Sequence, residues 1–125
     1  MQLDRFTEKA QEAIVRAQEL AQSLQSPVLD AEHILSALIE PEDGVPAETL
    51  RRLGVDLPEL RGEVAAALAR RARIQGGSLS VDPRAKRTIE LAQAQARRLS
   101  DEYVSTEHLL LGVAEAGGEG QSLLE

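Results

Sequence analysis

The chain of 125 residues is 42% hydrophobic and 28% charged, the size and balance of one soluble globular domain that buries a core without staples. It has no cysteine, which excludes disulfides, thiol nucleophiles and cysteine metal sites, and its 2% of aromatic residues disfavours sugar-stacking clefts and single-stranded nucleic-acid platforms. The net charge of −7 is opposite to that of a duplex-binding protein, so no nucleic-acid partner is expected.

The amino terminus, MQLDRFTEKAQ, is polar where a secretion signal needs an apolar stretch, and no apolar run is long enough to span a bilayer. A cytoplasmic setting with no membrane partner is therefore expected. The first helix is predicted to start at Thr7, an N-cap followed by acidic Glu8. Its apolar stripe runs through Ala10, Ala13, Ile14, Ala17, Leu20, Ala21 and Leu24 in steps of three and four. A short second helix begins near Asp30 with Ile34, Leu35 and Leu38. A third is predicted from Pro46 to Gly54, a typical stop. A fourth runs from about Pro58 to Ile74, with Leu57, Leu60, Val64 and Leu68 as its stripe. Residues 75–81, QGGSLSV, read as a linker. Asp82 before Pro83 is a strong start signal for a fifth helix, striped by Ala85, Ile89, Ala92, Ala96 and Leu99. A sixth begins near Ser105, with Leu109, Leu110 and Val113. No segment alternates long enough to suggest a strand, so an all-α domain without strands is expected.

Sliding the chain by 75 residues against itself reveals a gapless repeat. Ile14 meets Ile89, Ala17 meets Ala92, Gln18 meets Gln93, Ala21 meets Ala96 and Leu24 meets Leu99. Further on, AEHILSAL at 31–38 lies on TEHLLLGV at 106–113, so Glu32 meets Glu107 and His33 meets His108. The repeats span about 1–74 and about 82–125. The second is truncated at its C-terminal end: GEGQSLLE resembles the start of the third helix, and nothing matches the fourth. The apolar face this would leave exposed invites a dimer. Charge is segregated too. Residues 1–60 carry a net of −7, residues 61–98 a net of +6, and residues 99–125 six acidic groups and no basic one. The basic middle either folds against the acidic ends or forms a docking face for an anionic partner.

No residues suggest catalysis. There is no phosphate-binding glycine loop, no HExxH zinc motif, and no nucleophile elbow or triad around the serines. The two histidines read as imidazoles packed near helix starts and bonded to backbone. The informative pair is Glu32 and Glu107, each in the first turn of a short helix. Such a carboxylate either complements the helix dipole or receives a guanidinium or ammonium from a ligand. The helix starts at Thr7 and Asp82 would offer backbone N–H groups to an anion.

RFTEKAQ at 5–11, AEHIL at 31–35, DPRAKRTIELA at 82–92 and YVSTEHLLLG at 103–112 together resemble the amino-terminal domain of the Clp AAA+ unfoldases, the ClpC type most of all. ClpB-type disaggregases have a related domain whose repeats match less well. The resemblance implies two pseudo-twofold-related helical repeats, on a linker above ATPase rings that bind ATP and Mg; the domain itself takes no cofactor or metal and is not an enzyme. It implies recruitment of adaptor proteins and of unfolded or marked substrates, for the rings of the same chain and, indirectly, the ClpP peptidase. It also implies two phosphoarginine sites, with Glu32 and Glu107 receiving the guanidinium and the helix starts at Thr7 and Asp82 near the phosphate. The copies depart from the family pattern at Ala31 and Asp82, where threonine is usual. A free-standing adaptor or regulator with this fold is the alternative.

Overall fold

The computed structural model describes residues 3–71, 73 and 79–124. Thr7 caps α1 (Glu8–Ser23), accepting a hydrogen bond from the Ala10 amide at 3.2 Å, and Ala10, Ala13, Ile14, Ala17 and Ala21 form its buried stripe. The chain then passes through β1 (Val28–Leu29) into α2 (Ala31–Ile39), capped by Asp30. Every residue of α2 except Ser36 is buried, so α2 is the helix around which the others pack rather than one with a solvent face. Its C-terminus is closed from outside: Arg61 donates to the Ile39 carbonyl at 2.8 and 3.0 Å while also holding Glu42.

The next helix, α3 (Val45–Arg52), carries Pro46 in its first turn and ends just before Gly54, whose φ of 86° is open to glycine at little cost. Asp56 caps α4 (Leu57–Ala69), and Leu57, Leu60, Val64 and Leu68 are all buried as the periodicity predicts. This helix is shorter than expected. Arg70 is its C-cap, and Ile74 lies outside the described residues, as do the linker residues 75–78. Then come β2 (Ser80–Val81), α5 (Pro83–Arg98), α6 (Thr106–Glu115) and α7 (Gly118–Leu124). The last corresponds to the tail that resembles the third helix, and it packs on α2, α4 and α6.

The expectation of no strands needs correction. β1 and β2 form a two-stranded parallel sheet, with Val28 opposite Ser80 and Leu29 opposite Val81, and Phe6 forms an isolated parallel bridge with Val104. Two residues are too few to show alternation, which is why the sequence carries no signal for them. Yet both pairings obey the 75-residue offset: Leu29 maps onto Val104, and Phe6 onto Val81. The Thr7 amide donates to the Val104 carbonyl at 2.9 Å, and the Asp82 amide to the Leu29 carbonyl at 2.8 Å. Each repeat thus lays the segment before its first helix along the loop of the other. The exchange is reciprocal, as a pseudo-twofold axis requires.

The turns repeat as well. Gln25 and Ser100, again 75 apart, both adopt positive φ (55° and 59°) after the C-caps Leu24 and Leu99. This corrects the stripe of α5: Leu99 is the cap, outside the last helical turn, and is 55% exposed. The fully buried side chains come from both repeats, with Ile14, Leu29, Ile34, Leu35 and Leu38 meeting Leu109 and Val113 in one core. The basic middle folds against the acidic first segment, through Arg61 on Glu42 and through Arg71 and Arg84 on Asp30.

Repeat two crosses its helices more tightly than repeat one. A Cβ on Gly112 of α6 would collide with the Thr88 carbonyl oxygen of α5, whereas the equivalent position in repeat one is the buried Ala37. Gly112→Ala is expected to cost about 1–3 kcal/mol by overpacking, read as a lowered urea midpoint with unchanged helical circular dichroism.

Candidate functional site

The reciprocal pairing brings the four predicted site residues together two by two. Asp82 at the start of α5 meets the start of α2, where Glu32 lies; Thr7 at the start of α1 meets the start of α6, where Glu107 lies. The two junctions have the same backbone and different electrostatics.

At the first junction the acidic groups are buried. Asp30 is 0% exposed. One carboxylate oxygen accepts from the Ala31 amide at 2.7 Å and from Arg84 Nε at 3.3 Å; the other accepts from Arg71 at 2.8 Å and Arg84 at 2.7 Å. Burial alone would raise the pKa of this carboxyl. The Arg84 hydrogen bond, the Ala31 amide and Arg71 outweigh it and hold the pKa at about 2. Arg84 is correspondingly raised by its bond to Asp30. Its aliphatic stem lies so close to Gly118 that a Cβ there would collide with it.

Glu32 is 1% exposed, and its carboxylate accepts from Arg71 at 3.1 Å. Burial raises its pKa, and Asp30 beside it raises it further, against the pull of Arg71. Asp82 accepts from the Arg84 amide at 2.9 Å and so satisfies the helix start it occupies. At this junction the chain's own Arg71 engages Glu32, the carboxylate that the resemblance assigns to a ligand.

At the second junction Ser105 stands where Asp30 stands in the first, and Lys9 where Arg84 stands. Among the described residues Lys9 reaches only Glu12, at 3.7 Å, and its side chain is 83% exposed. Glu107 is half-buried and forms no ion pair with any described residue. Lys9 and Thr106 border one groove, between α1 and the start of α3.

The histidines take the role expected of them. His33 Nδ1 accepts from the Asp30 amide and His108 Nδ1 from the Ser105 amide, both at 2.9 Å, each closing a capping box at the start of its helix. In repeat two the other nitrogen, Nε2, donates to Asp101 at 2.9 Å. In repeat one Ser26 replaces that aspartate and spends its hydroxyl on the Val28 carbonyl, leaving His33 Nε2 buried without a partner among the described residues. Burial, aided by Arg71, lowers the His33 pKa to about 4.

Ser105, His108 and Asp101 thus stand in hydrogen-bonding order, with Ser105 Oγ 2.9 Å from His108 Nδ1, an arrangement the sequence does not suggest. It is a cap rather than a relay. The single lone pair of Nδ1 is already engaged by the Ser105 amide, so it is not available as a base for the hydroxyl. Among the described residues no cluster of three metal-ligating side chains occurs, and no helix is long and apolar enough to cross a membrane.

Sequence reasoning singles out Glu32, Glu107, Thr7 and Asp82 from the repeat and the helix starts. It missed Asp30, Arg71 and Arg84 as one cluster. The available signal was the opposite net charge of residues 1–60 and 61–98, with Asp30 two residues from Glu32.

A family model described as the Clp repeat (R) N-terminal domain matches residues 5–125. The chain is 40% identical over 114 residues to the chloroplastic chaperone protein ClpC of Pisum sativum, covering 91% of this chain and 12% of that protein. It is 38% identical over 117 residues to the negative regulator of genetic competence ClpC/MecB of Bacillus subtilis, covering 94% of this chain and 14% of that protein. The chain therefore spans about one seventh or less of these relatives' lengths. Among solved structures, the Hsp104 N-terminal domain from Candida albicans shares the fold with a TM-score of 0.83 at 22% identity, over 96% of this chain and 77% of that one.

Two outcomes follow from the first junction. Arg84→Ala is expected to lower stability by about 1–3 kcal/mol in urea denaturation, because buried Asp30 keeps Arg71 but loses its other guanidinium. For His33 the folded pKa of about 4 lies below the ordinary 6.5. The unfolded chain takes up the proton first as pH falls, so stability drops between pH 6.5 and about 4, by on the order of 3 kcal/mol. His33→Gln retains an acceptor for the Asp30 amide and removes the titration. Across that pH window the variant should lose less stability than the parent chain by that amount.

Proposed function

Because the chain belongs to the Clp repeat N-terminal domain family, we propose that it is a non-catalytic recruitment module, capturing adaptor proteins and substrates for an ATP-driven unfoldase in the cytoplasm. Its coverage of 12% and 14% of the curated ClpC relatives supports a role as one domain of a longer polypeptide whose other modules bind ATP and Mg. The described residues supply positioned carboxylates and helix starts, groups suited to a cationic and an anionic part of a ligand, which supports a binding role.

The observation that carries the reading is the half-buried carboxylate of Glu107 at the start of α6, which pairs with no cation among the described residues. It is placed to take a guanidinium or ammonium from an incoming chain. For a phosphoarginine side chain, Lys9 and the positive end of α1 behind Thr7 are the complement to the phosphate. The equivalent acid in the first repeat, Glu32, is held by Arg71, and Asp82 spends its carboxylate as a cap. On this reading the domain offers one competent site, at the second junction, and the first junction holds the repeats together.

Isothermal titration with phosphoarginine and with a phosphoarginine-bearing protein tests this. One ligand per chain is expected. Glu107→Ala should remove the heat and leave the circular dichroism spectrum unchanged, whereas Glu32→Ala should lower stability and leave the single site in place. Two equal sites would refute the assignment of one competent junction, and no heat with adaptor, substrate or phosphoarginine from folded protein would refute recruitment.

A further inference from the structure

Repeat two exposes an apolar surface that its fold does not require. Leu99, Tyr103 and Leu111 are 55%, 49% and 41% exposed and border one shallow depression. Isolated exposed leucines are ordinary; three large apolar side chains converging on one concave spot are a feature of recognition surfaces. The repeat provides an internal comparison. The position of Leu111 is held in repeat one by Ser36, within a helix of the same length to within one residue. A leucine at 111 is thus not needed to build α6.

The rim is acidic. Asp101, Glu102 and Glu107 border the depression, and no lysine or arginine borders it among the described residues. Residues 99–125 contain no basic residue at all, so nothing in this stretch of chain neutralises the rim. Among the described residues the one side-chain contact to its carboxylates, His108 Nε2 on Asp101, is a single hydrogen bond to a side chain that stays 48% exposed. An apolar floor with a rim of one sign selects a partner carrying both features: apolar side chains for the floor and cations for the rim.

We propose that this depression docks a segment of a recruited polypeptide in which lysine or arginine alternates with aliphatic or aromatic residues. The proposal rests on the recruitment reading and adds the chemistry of the segment read. The depression and the groove bordered by Lys9 and Thr106 share no lining residue, so substitutions at Leu111 or Glu102 test the depression and leave that groove and Glu107 in place. Glu107 stands at the edge of the depression, where it fixes one cation while the floor reads its neighbours.

The test uses a short labelled peptide alternating leucine with arginine, and two controls in which glutamate replaces arginine or serine replaces leucine. Only the first should bind in fluorescence anisotropy, with an affinity that falls as salt rises. Leu111→Ser, which copies the serine of repeat one, should weaken it by about tenfold. Glu102→Gln, which leaves Glu107 in place, should weaken it as well and lessen the salt dependence. Amide chemical-shift mapping on the unmodified domain should place the perturbations within residues 99–111.

Equal affinity for the serine control would show attraction by charge alone and overturn the proposal. Perturbations confined to the groove beside α1 and α3 would overturn it as well, and leave recruitment standing. If the peptide fails to bind and unfolded proteins and adaptors fail too, recruitment itself is refuted.

Discussion

The carboxylate of Asp30 joins the two halves of the molecule. It is fully buried, it accepts the first amide of α2, and it is held by Arg71 from the end of repeat one and by Arg84 from the start of repeat two. A buried carboxylate without such partners is untenable, since desolvation costs several kcal/mol. Here three donor groups compensate it, and the position of each is thereby fixed. Arg84 cannot leave without stripping a charge in the interior, so α5 is tied to α2. The parallel pairing of Leu29 with Val81 and of Phe6 with Val104 supplies the frame in which that contact forms.

The same contact differentiates two sites that share one sequence pattern. Where the first junction has Asp30 and Arg84, the second has Ser105 and Lys9, a neutral cap and a long, exposed cation. The local consequence is that Glu32 is enclosed with Arg71, while Glu107 is half-buried with no cation beside it among the described residues. A duplicated fold can thus assign structural cohesion to one copy of a motif and leave the other open for ligands. The histidines show the same division: His108 has Asp101 for its second nitrogen, and His33 has no described partner.

Sequence periodicity carries most of the architecture. The steps of three and four through Ala10 to Ala21, the stripe from Leu57 to Leu68, and the caps at Thr7, Asp30, Asp82 and Ser105 all depend on neighbours within a turn or two, so they are legible locally. The offset of 75 residues exposes the duplication, and the EH pairs expose the candidate carboxylates. Leu99 is misplaced by periodicity because a helix boundary shifts which residue is the last to face the core. The strands are invisible because two residues show no alternation, and because their partners lie about 50 residues or more away in the chain.

What the sequence determined by itself is therefore the set of helices, their starts and their duplication, since backbone capping and hydrophobic periodicity act over a few residues. What only the tertiary structure decided is which of two matching carboxylates is spent internally. Arg71 and Arg84 lie 41 and 54 residues beyond Asp30. An arginine is long and charged wherever it stands, and only the folding of the chain past α4 back onto α2, with α5 closing on it from the other repeat, brings these two guanidinium groups to the acidic pair of repeat one rather than to Glu107.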